Sequence, residues 1–389
     1  MVDGSLRPSI RNIQLWIKVP SPVVVRGPKD LALLSVDCDG LRRFTCLAVR
    51  KCPATTPPVM ETPTPFPLHR LALMILILLF WQSASAAETD PPRIVAVKRL
   101  THEIQLSFTS PGAFNSRLET SSHLDDWTTA YTFSRSTSTQ SFNLPTRFAQ
   151  ARFYRVVELD TTNAFTGDHL ATLEGDLVSH PVDHASFVAS WNKQVIYFDP
   201  VGVASRYRDL PRPTVVFLTD IHSDHMDSAT LNALGATNAI ILAPLAVFQQ
   251  LSTGLRRVTQ VLPNGAIAEV AGINVQAIPM YNTTAARLGY HTKGRGNGYV
   301  LTLGGRRIYV SGDTEDIPEM RALRNIDAAF VCMNLPFTMD INQAAAAVQE
   351  FAPRVVYPYH YSGSDVQKFS RLVGTSLTVE VEVRLRKWY

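Results

Sequence analysis

The stretch LTDIHSDHMD, residues 218–227, follows the apolar run TVVFL and holds two histidines and three carboxylates within eight residues. A short apolar run of this kind is typical of a buried strand. Side chains at the end of such a strand project from the edge of a sheet into a shared cleft. Imidazole nitrogens and carboxylate oxygens are ligands for zinc, iron and manganese. The stretch therefore predicts a metal site that includes Asp220, His222, Asp224 and His225.

Three further strand ends carry the same residue types. His291 precedes the glycine-rich segment KGRGNGYV, Asp313 follows the strand RRIYVSG, and His360 ends the strand VVYPY. Four of the ten histidines thus lie at strand ends, so a purely structural interpretation would have to explain four separate coincidences. Seven ligands suit two divalent ions that share one carboxylate, and such a pair can hold a hydroxide and stabilise charge on a substrate oxygen. The predicted reaction is hydrolysis, with zinc as the expected metal and manganese or iron as alternatives.

The organisation of the chain changes near residue 160. Residues 90–160 contain short β-prone segments separated by Ser, Pro, Asn and Asp, which predicts a small all-β sandwich. Within it, LDDWTT and ARFYRV resemble fibronectin-type modules of secreted bacterial proteins, which implies spacing or adhesion, although a domain without a role of its own is equally compatible. In residues 170–389 paired strands are followed by strands that alternate with helical segments, which predicts an α/β domain with helix-covered sheets. One hairpin is expected to turn at Gly304-Gly305.

Residues 175–370 resemble the metallo-β-lactamase fold superfamily, in particular the branch of ascorbate-6-phosphate lactonase-like hydrolases and N-acyl-phosphatidylethanolamine phospholipases. The resemblance implies a four-layer αββα sandwich with a metal site at one edge of its two sheets, preceded here by the small β-sandwich. It rests on motifs that occur in the family's order: GDLVSHPVDHASFV, IYFDPVG, LTDIHSDHMD, IPMYNTT with YHTKGRGNGYVL, IYVSGDTEDIPEM and VVYPYHY.

The resemblance also assigns the ligands of two metal ions and two residues that orient them. For His184, in VDHASFV, and Asp199, in YFDP, an ordinary role in strand and turn structure is an equal alternative. The implied assignment is Asp220, His222 and His291 for the first ion, Asp224, His225 and His360 for the second, Asp313 as the bridge, and His184 and Asp199 beside the site.

Asp220 departs from the family pattern, which has a histidine at this position. As a ligand it would add an anionic oxygen to the first site, which should widen the tolerance for manganese or iron. It should also leave the pKa of a bound water above the ~7 of strongly acidifying zinc centres. In the alternative, Asp220 caps a turn and the first metal is absent.

Two cations follow His291 in a glycine-flanked loop. For Lys293 and Arg295 we expect a solvated loop, with the presentation of positive charge to an anionic substrate as the alternative. The segment GRGNG lacks the remaining residues of a nucleotide-binding P-loop, so a phosphate cradle is not expected there.

The N-terminal region predicts export. PLHRLALMILILLFWQSASAAETD has a basic start, an apolar run from Leu71 to Trp81 and small residues before Ala87, which is typical of a signal peptide spanning 60–86. The run is too short for a spanning helix, so no stable membrane span is expected after cleavage. Residues 1–59 are then an unstructured upstream extension ahead of a start at Met60. Three of the four cysteines lie in that extension, which leaves Cys332 alone in a secreted or periplasmic chain.

The composition narrows the choice of partner. The net charge of the 389-residue chain is only +4, and no Lys/Arg cluster alternates with aromatic residues, which argues against nucleic acid. The expected partner is a small-molecule or lipid-like substrate. The sequence therefore predicts an exported dinuclear metal-dependent hydrolase that acts on an ester, lactone or phosphodiester, with Asp224 assisting proton transfer. The alternative is a secreted binding or adhesion protein that keeps the fold without catalysis.

Overall fold

The computed structural model describes residues 17–19, 91–100, 103–124, 126–145, 152–376 and 380–389. The predicted signal peptide, its cleavage site and most of the predicted extension lie outside these residues. Ile17–Val19 belongs to that extension, yet it forms a strand that pairs antiparallel with Arg152–Glu158. This pairing covers part of an edge that would otherwise present unpaired backbone groups. Within the described part of the chain, no helix has the length and apolar character needed to cross a membrane.

The strands are numbered in chain order. They are β1 Ile17–Val19, β2 Arg93–Arg99, β3 Glu103–Thr109, β4 Ser116–Ser121, β5 Thr128–Phe133, β6 Gln140–Pro145, β7 Arg152–Glu158, β8 Gly167–Thr172, β9 Gly175–Asp183, β10 Ser186–Trp191, β11 Gln194–Phe198, β12 Val215–Phe217, β13 Ile240–Ala243, β14 Thr259–Val261, β15 Ile267–Val270, β16 Ile273–Met280, β17 Gly296–Leu303, β18 Arg306–Val310, β19 Ala328–Cys332, β20 Val355–Tyr359 and β21 Glu382–Val383.

The α-helices are short, and single 3₁₀ turns occupy Ala204–Tyr207, Ala236–Asn238 and Ala285–Arg287. The longest helix begins at a capping box, in which Asp340 accepts from the backbone of Gln343 while the Gln343 side chain accepts from the backbone of Asp340. The helices are α1 Ser228–Ala233, α2 Leu245–Gln250, α3 Thr253–Arg256, α4 Pro318–Arg321, α5 Ile341–Phe351 and α6 Val366–Val373.

Two large sheets are built on the same plan. The first runs β1-β7-β4-β5-β8-β9-β10-β11-β12-β13-β14, and the second runs β15-β16-β17-β18-β19-β20-β21. Antiparallel pairing changes to parallel pairing after β11 in the first sheet and after β18 in the second. The hairpin between β17 and β18 turns at Gly304-Gly305, as predicted, and both glycines have positive φ, as a two-residue hairpin turn of this kind requires.

The two sheets pack face to face through aromatic side chains. Phe187 of β10 stacks on Phe198 of β11 and on Phe330 of β19, with ring centroids 4.2 and 4.3 Å apart. Truncating a buried phenylalanine of this kind to alanine typically costs about 3–5 kcal/mol. Along β11 the neighbouring Tyr197 points to the opposite face, into a separate core under α1, α2 and α3. Because side chains alternate between the two faces of a strand, one face of the first sheet packs against the second sheet and the other face packs against helices.

Helices also cover the outer face of the second sheet. Tyr309 of β18 meets Phe351 of α5 edge to face, with ring centroids 6.0 Å apart. Ala344 and Val348 of α5 and Phe369 of α6 are fully buried in the same core. The predicted fold class, a four-layer αββα sandwich, is therefore confirmed.

The N-terminal strands form the predicted small β-sandwich. A three-stranded sheet, β2-β3-β6, faces the end of the first large sheet, β7-β4-β5, across an apolar core. The large sheet continues from β5 into β8 through two residue pairs, Tyr131 with Asp168 and Thr132 with Gly167. The Asp168 carboxylate also accepts hydrogen bonds from Nε and Nη2 of Arg386. These bonds connect the C-terminal segment to the junction between β5 and β8. The predicted domain boundary near residues 160–170 stays a prediction.

Candidate metal centre

The loops that follow β11, β12, β18 and β20 carry the predicted site residues, together with the β9–β10 turn and the β16–β17 loop. Parallel strands end at the same edge of a sheet, which is why these loops meet. Contacts of 3.9 Å or less connect all nine side chains predicted from the sequence into one cluster: His184, Asp199, Asp220, His222, Asp224, His225, His291, Asp313 and His360.

The first group of ligand atoms consists of Asp220, His222 and His291, with one atom from each within 4.8 Å of the others. The Asp220 Oδ2 atom lies 2.9 Å from His222 Nδ1 and 3.7 Å from His291 Nε2. Asp220 and His291 are buried, and the His222 side chain is 38% exposed. The group is thus closed on the protein side and open to solvent at His222.

The second group consists of His225, Asp313 and His360. The Asp313 Oδ2 atom lies 3.3 Å from His225 Nε2, and Asp313 Oδ1 lies 3.3 Å from His360 Nε2. The same Oδ2 atom is 3.3 Å from His291 Nε2 of the first group. The Asp313 carboxylate therefore contacts both groups.

Asp224 and His184 flank the second group and form a third set of close ligand atoms with His360. Asp224 Oδ2 lies 3.3 Å from His360 Nε2 and 3.3 Å from His184 Nε2. Burial alone would raise the pKa of Asp224, but hydrogen bonds from His184 and His360 hold that pKa far below its usual range. Its side chain is 43% exposed, so an ionised carboxylate is accessible beside the centre.

Tyr389 fixes the proton position on His184. Its hydroxyl oxygen accepts from the backbone N–H groups of Tyr361 and Ser362 at 3.1 and 3.0 Å, and it lies 2.6 Å from His184 Nδ1. With both lone pairs used, the hydroxyl donates to Nδ1, so the neutral ring carries its hydrogen on Nε2. His184 therefore donates to Asp224 and orients that carboxylate.

Hydrogen-bond acceptors also fix the tautomers of two histidines in the centre. His225 Nδ1 lies 2.8 Å from the Asp199 carboxylate, and His291 Nδ1 lies 3.2 Å from the backbone carbonyl of Phe337. Each acceptor holds the hydrogen on Nδ1, so each Nε2 presents a lone pair towards Asp313. His291 Nε2 and Asp313 Oδ1 are buried without a hydrogen-bond donor. Converging lone pairs of this kind fit divalent metal ions.

The charges around His225 favour a positive charge at this position, whether a proton or a metal ion supplies it. Burial alone would lower the pKa of this imidazole, but Asp313 and Asp199 outweigh it and raise the pKa well above its usual range. The reverse holds for Asp313, where burial opposes ionisation while His360 and His225 keep the pKa well below its usual range. The cluster of acceptors therefore favours a positive charge at its centre.

Asp199 contacts the second group through His225 and is itself held by Thr219. Its carboxylate accepts from the Thr219 backbone N–H at 2.8 Å, from the Thr219 hydroxyl at 2.6 Å and from His225 Nδ1. The residue is 1% exposed. Asp199, His184 and His360 also have positive φ, a backbone conformation that non-glycine residues rarely adopt and that concentrates at functional sites.

The pairing of Arg295 with Asp220 is the contact at this centre that sequence reasoning missed. Its Nε donates to Asp220 Oδ1 at 3.0 Å and its Nη2 donates to Asp220 Oδ2 at 2.7 Å, which forms a two-pronged ion pair. The Arg295 side chain is only 18% exposed. The expectation of a solvated loop is therefore wrong for Arg295. A buried carboxylate requires a partner charge, and that requirement is the signal that points to Arg295.

Lys293, by contrast, is largely solvated, as expected from the sequence. Its side chain is 61% exposed and its ammonium lies 3.0 Å from Glu319 and 3.2 Å from the Tyr281 hydroxyl. The loop also contains Arg287, whose Nε lies 2.6 Å from the buried carboxylate of Glu315. Each of these cations thus has a carboxylate partner within the protein.

Glycines bring the loop close to the motif after β12. A Cβ on Gly296 would lie 2.8 Å from the Thr219 carbonyl oxygen, and one on Gly298 would lie 2.7 Å from the Ser311 carbonyl oxygen. Larger residues would push these strands apart. GRGNG therefore serves close backbone packing at the centre.

Comparison with known proteins gives consistent matches to this part of the chain. The family model for the β-lactamase superfamily domain matches residues 180–360. A solved structure from Parabacteroides distasonis, described as a metal-dependent hydrolase, is 34% identical with a TM-score of 0.52, and the match covers 57% of this chain and 100% of that one. Metal-dependent hydrolases of Pyrococcus abyssi and Thermococcus onnurineus are 27% and 29% identical over 212 and 210 residues, which is 51% and 50% of this chain and 92% of each relative.

Proposed function

Because the chain belongs to the metallo-β-lactamase superfamily of metal-dependent hydrolases, we propose that it hydrolyses its substrate at a centre of two divalent metal ions that share Asp313. The observation that carries the proposal is the convergence of lone pairs from His225, His291 and Asp313. Hydrogen bonds from the Nδ1 atoms of the two histidines fix their tautomers. When bound, two such ions supply an activated water and a Lewis acid for the substrate oxygen. The mixed nitrogen and oxygen donors suit zinc, with manganese or iron as alternatives.

The first and second groups of ligand atoms give the proposed assignment. Asp220, His222 and His291 hold the first ion, and His225 and His360 hold the second together with Asp224. Asp313 is shared because its two oxygens face both groups.

Asp224 is the residue we assign to proton transfer. Its carboxylate is ionised, partly exposed and held by the Nε2 hydrogen of His184 at 3.3 Å. Because its pKa is held low, the ionised carboxylate assists proton transfer by accepting a hydrogen bond from the attacking water and orienting it, and His184 keeps the carboxylate in place during that step. The tautomer of His184 makes it a hydrogen-bond donor in this arrangement.

The surroundings of the centre favour an ester or lactone with an apolar group over a phosphodiester. Four large apolar side chains on the two segments that hold His291 are exposed by 38–50%: Leu288, Tyr290, Leu335 and Phe337. The rings of Tyr290 and Phe337 pack edge to face, with centroids 5.1 Å apart. Because the cations of this loop pair with carboxylates, they offer little free positive charge to a phosphate.

The test is a substrate panel with metal removal. The purified protein, stripped with a chelator and reloaded with zinc, is assayed on apolar esters, lactones, β-lactams and a phosphodiester. We expect activity on esters or lactones that disappears on stripping and returns on reloading. Activity that persists in the stripped protein would contradict the metal-dependent reaction. A reloaded protein that hydrolyses none of the four classes would favour the binding-protein alternative, and a preference for the phosphodiester would overturn the substrate assignment.

We also propose export to a secreted or periplasmic location. The proposal rests on the apolar run that ends at Trp81 and the small residues before Ala87. N-terminal sequencing of the exported protein tests it, and the expected first residue is at or near Ala87. A mature product that retains residues 1–59 would contradict both the cleavage and the start at Met60.

A further inference from the structure

Asp220 and Arg295 form a pair whose geometry leaves little freedom to either residue. Besides its two bonds to Asp220, the Arg295 Nη2 atom donates to the backbone carbonyl of Tyr290 at 2.5 Å. Nη2 carries only two hydrogens, and these two acceptors use both of them. The 3.3 Å contact between Nη2 and His222 Nε2 therefore has no hydrogen left to share, and Arg295 does not fix the tautomer of His222.

The pair also changes the charge of the centre. Asp220, Asp224 and Asp313 contribute −3, two divalent ions contribute +4 and Arg295 contributes +1, which leaves a net charge of +2. A centre with a neutral imidazole at position 220 and no arginine would carry the same +2. The guanidinium thus offsets the one charge by which Asp220 differs from histidine.

We propose that Asp220 and Arg295 act together as the replacement for a neutral imidazole ligand at the first metal ion. The inference rests on the proposed two-ion centre. Asp220 supplies the ligand atom, and Arg295 acts through Asp220 by cancelling the charge of its carboxylate. The expectation of a harder first site still stands, because Asp220 still supplies an oxygen ligand. The expectation of a less acidifying first site counted the charge of Asp220 without that of Arg295, and in this proposal the two charges cancel.

A charge-swap cycle tests the pair by measuring metal affinity. Asp220→His leaves the Arg295 cation beside a neutral ligand, so the added positive charge should weaken the first ion more than about tenfold. Arg295→Met leaves the carboxylate uncompensated, so the first ion should bind at least as tightly as in the parent, while the metal-free protein should unfold at a lower temperature. The double variant restores the charge balance and should return the first-site affinity to within about threefold of the parent.

The measurement is chelator competition with elemental analysis on the full chain, and the melting temperature is recorded with and without zinc. Lys293→Met is the matched control, because it removes a cation from the same loop that does not contact Asp220, and it should leave both affinities unchanged. A first ion that is lost in Arg295→Met would show that Arg295 serves the shape of the loop and would overturn the proposal. An Asp220→His variant that binds two ions like the parent would also overturn it. A parent protein that binds fewer than two ions would instead contradict the proposed function.

Discussion

Replacing Asp199 with asparagine should weaken metal binding at the second group through a change of tautomer. The Thr219 backbone N–H can only donate, so the asparagine oxygen must face it and the amide nitrogen must take the place of Oδ2. That nitrogen donates towards His225 Nδ1, which then has to accept. The hydrogen of the imidazole moves to Nε2, where it faces Asp313 and removes the lone pair that a metal ion would use.

Loss of a partner that fixes a ligand histidine typically lowers metal affinity by about 10–100-fold. This corresponds to about 1.4–2.7 kcal/mol, at 1.36 kcal/mol for each factor of ten. The assay is competition with a coloured chelator, followed by elemental analysis of the dialysed protein. Thr219→Val is the control: it removes the 2.6 Å hydroxyl bond to Asp199 but leaves the carboxylate charge and the His225 tautomer, so affinity should fall less than about threefold. If Asp199→Asn binds both ions as tightly as the parent, the tautomer argument is wrong.

Three further predictions concern the Asp313 carboxylate, the loop before His291 and the buried thiol of Cys332. Asp313→Ala should reduce the content of both metal ions in elemental analysis, because the shared carboxylate no longer separates two cations; loss of only one ion would show that Asp313 is not a bridge. Glu315→Gln should lower the free energy of unfolding in urea by about 1.5–3 kcal/mol, because the buried carboxylate that holds Arg287 and the loop before His291 loses its charge; an unchanged urea midpoint would contradict this role. Burial raises the pKa of the Cys332 thiol to about 12, so peptide mapping should find Cys332 unmodified by thiol reagents in the native protein at pH 8 and labelled after unfolding; rapid native labelling would contradict its burial.

Much of the centre could be predicted because its residues occupy strand ends. Asp313 and His360 follow apolar strands whose boundaries are clear in the sequence, and parallel strands end at a common edge. Asp199 also follows a strand directly, but its place beside the site was predicted only from the resemblance. The pattern along each segment was enough to select the candidate ligands, whereas their division between two metal ions came from the resemblance to the metallo-β-lactamase superfamily.

Contacts between distant segments could not be predicted in the same way. Arg295 lies 75 residues from Asp220, and Tyr389 lies 205 residues from His184. Whether a carboxylate is buried, and which cation reaches it, depends on how a loop closes on a neighbouring sheet. The glycines of GRGNG allow that approach, but a glycine-rich segment alone has several interpretations.

The number of metal ions bound per chain is the most direct test of the central claim. Elemental analysis of the full-length protein, dialysed after saturation with zinc, should give two ions per chain, because two sets of lone pairs meet on either side of Asp313. A value of one or less under saturating zinc would contradict the shared two-ion centre on which the proposed function rests.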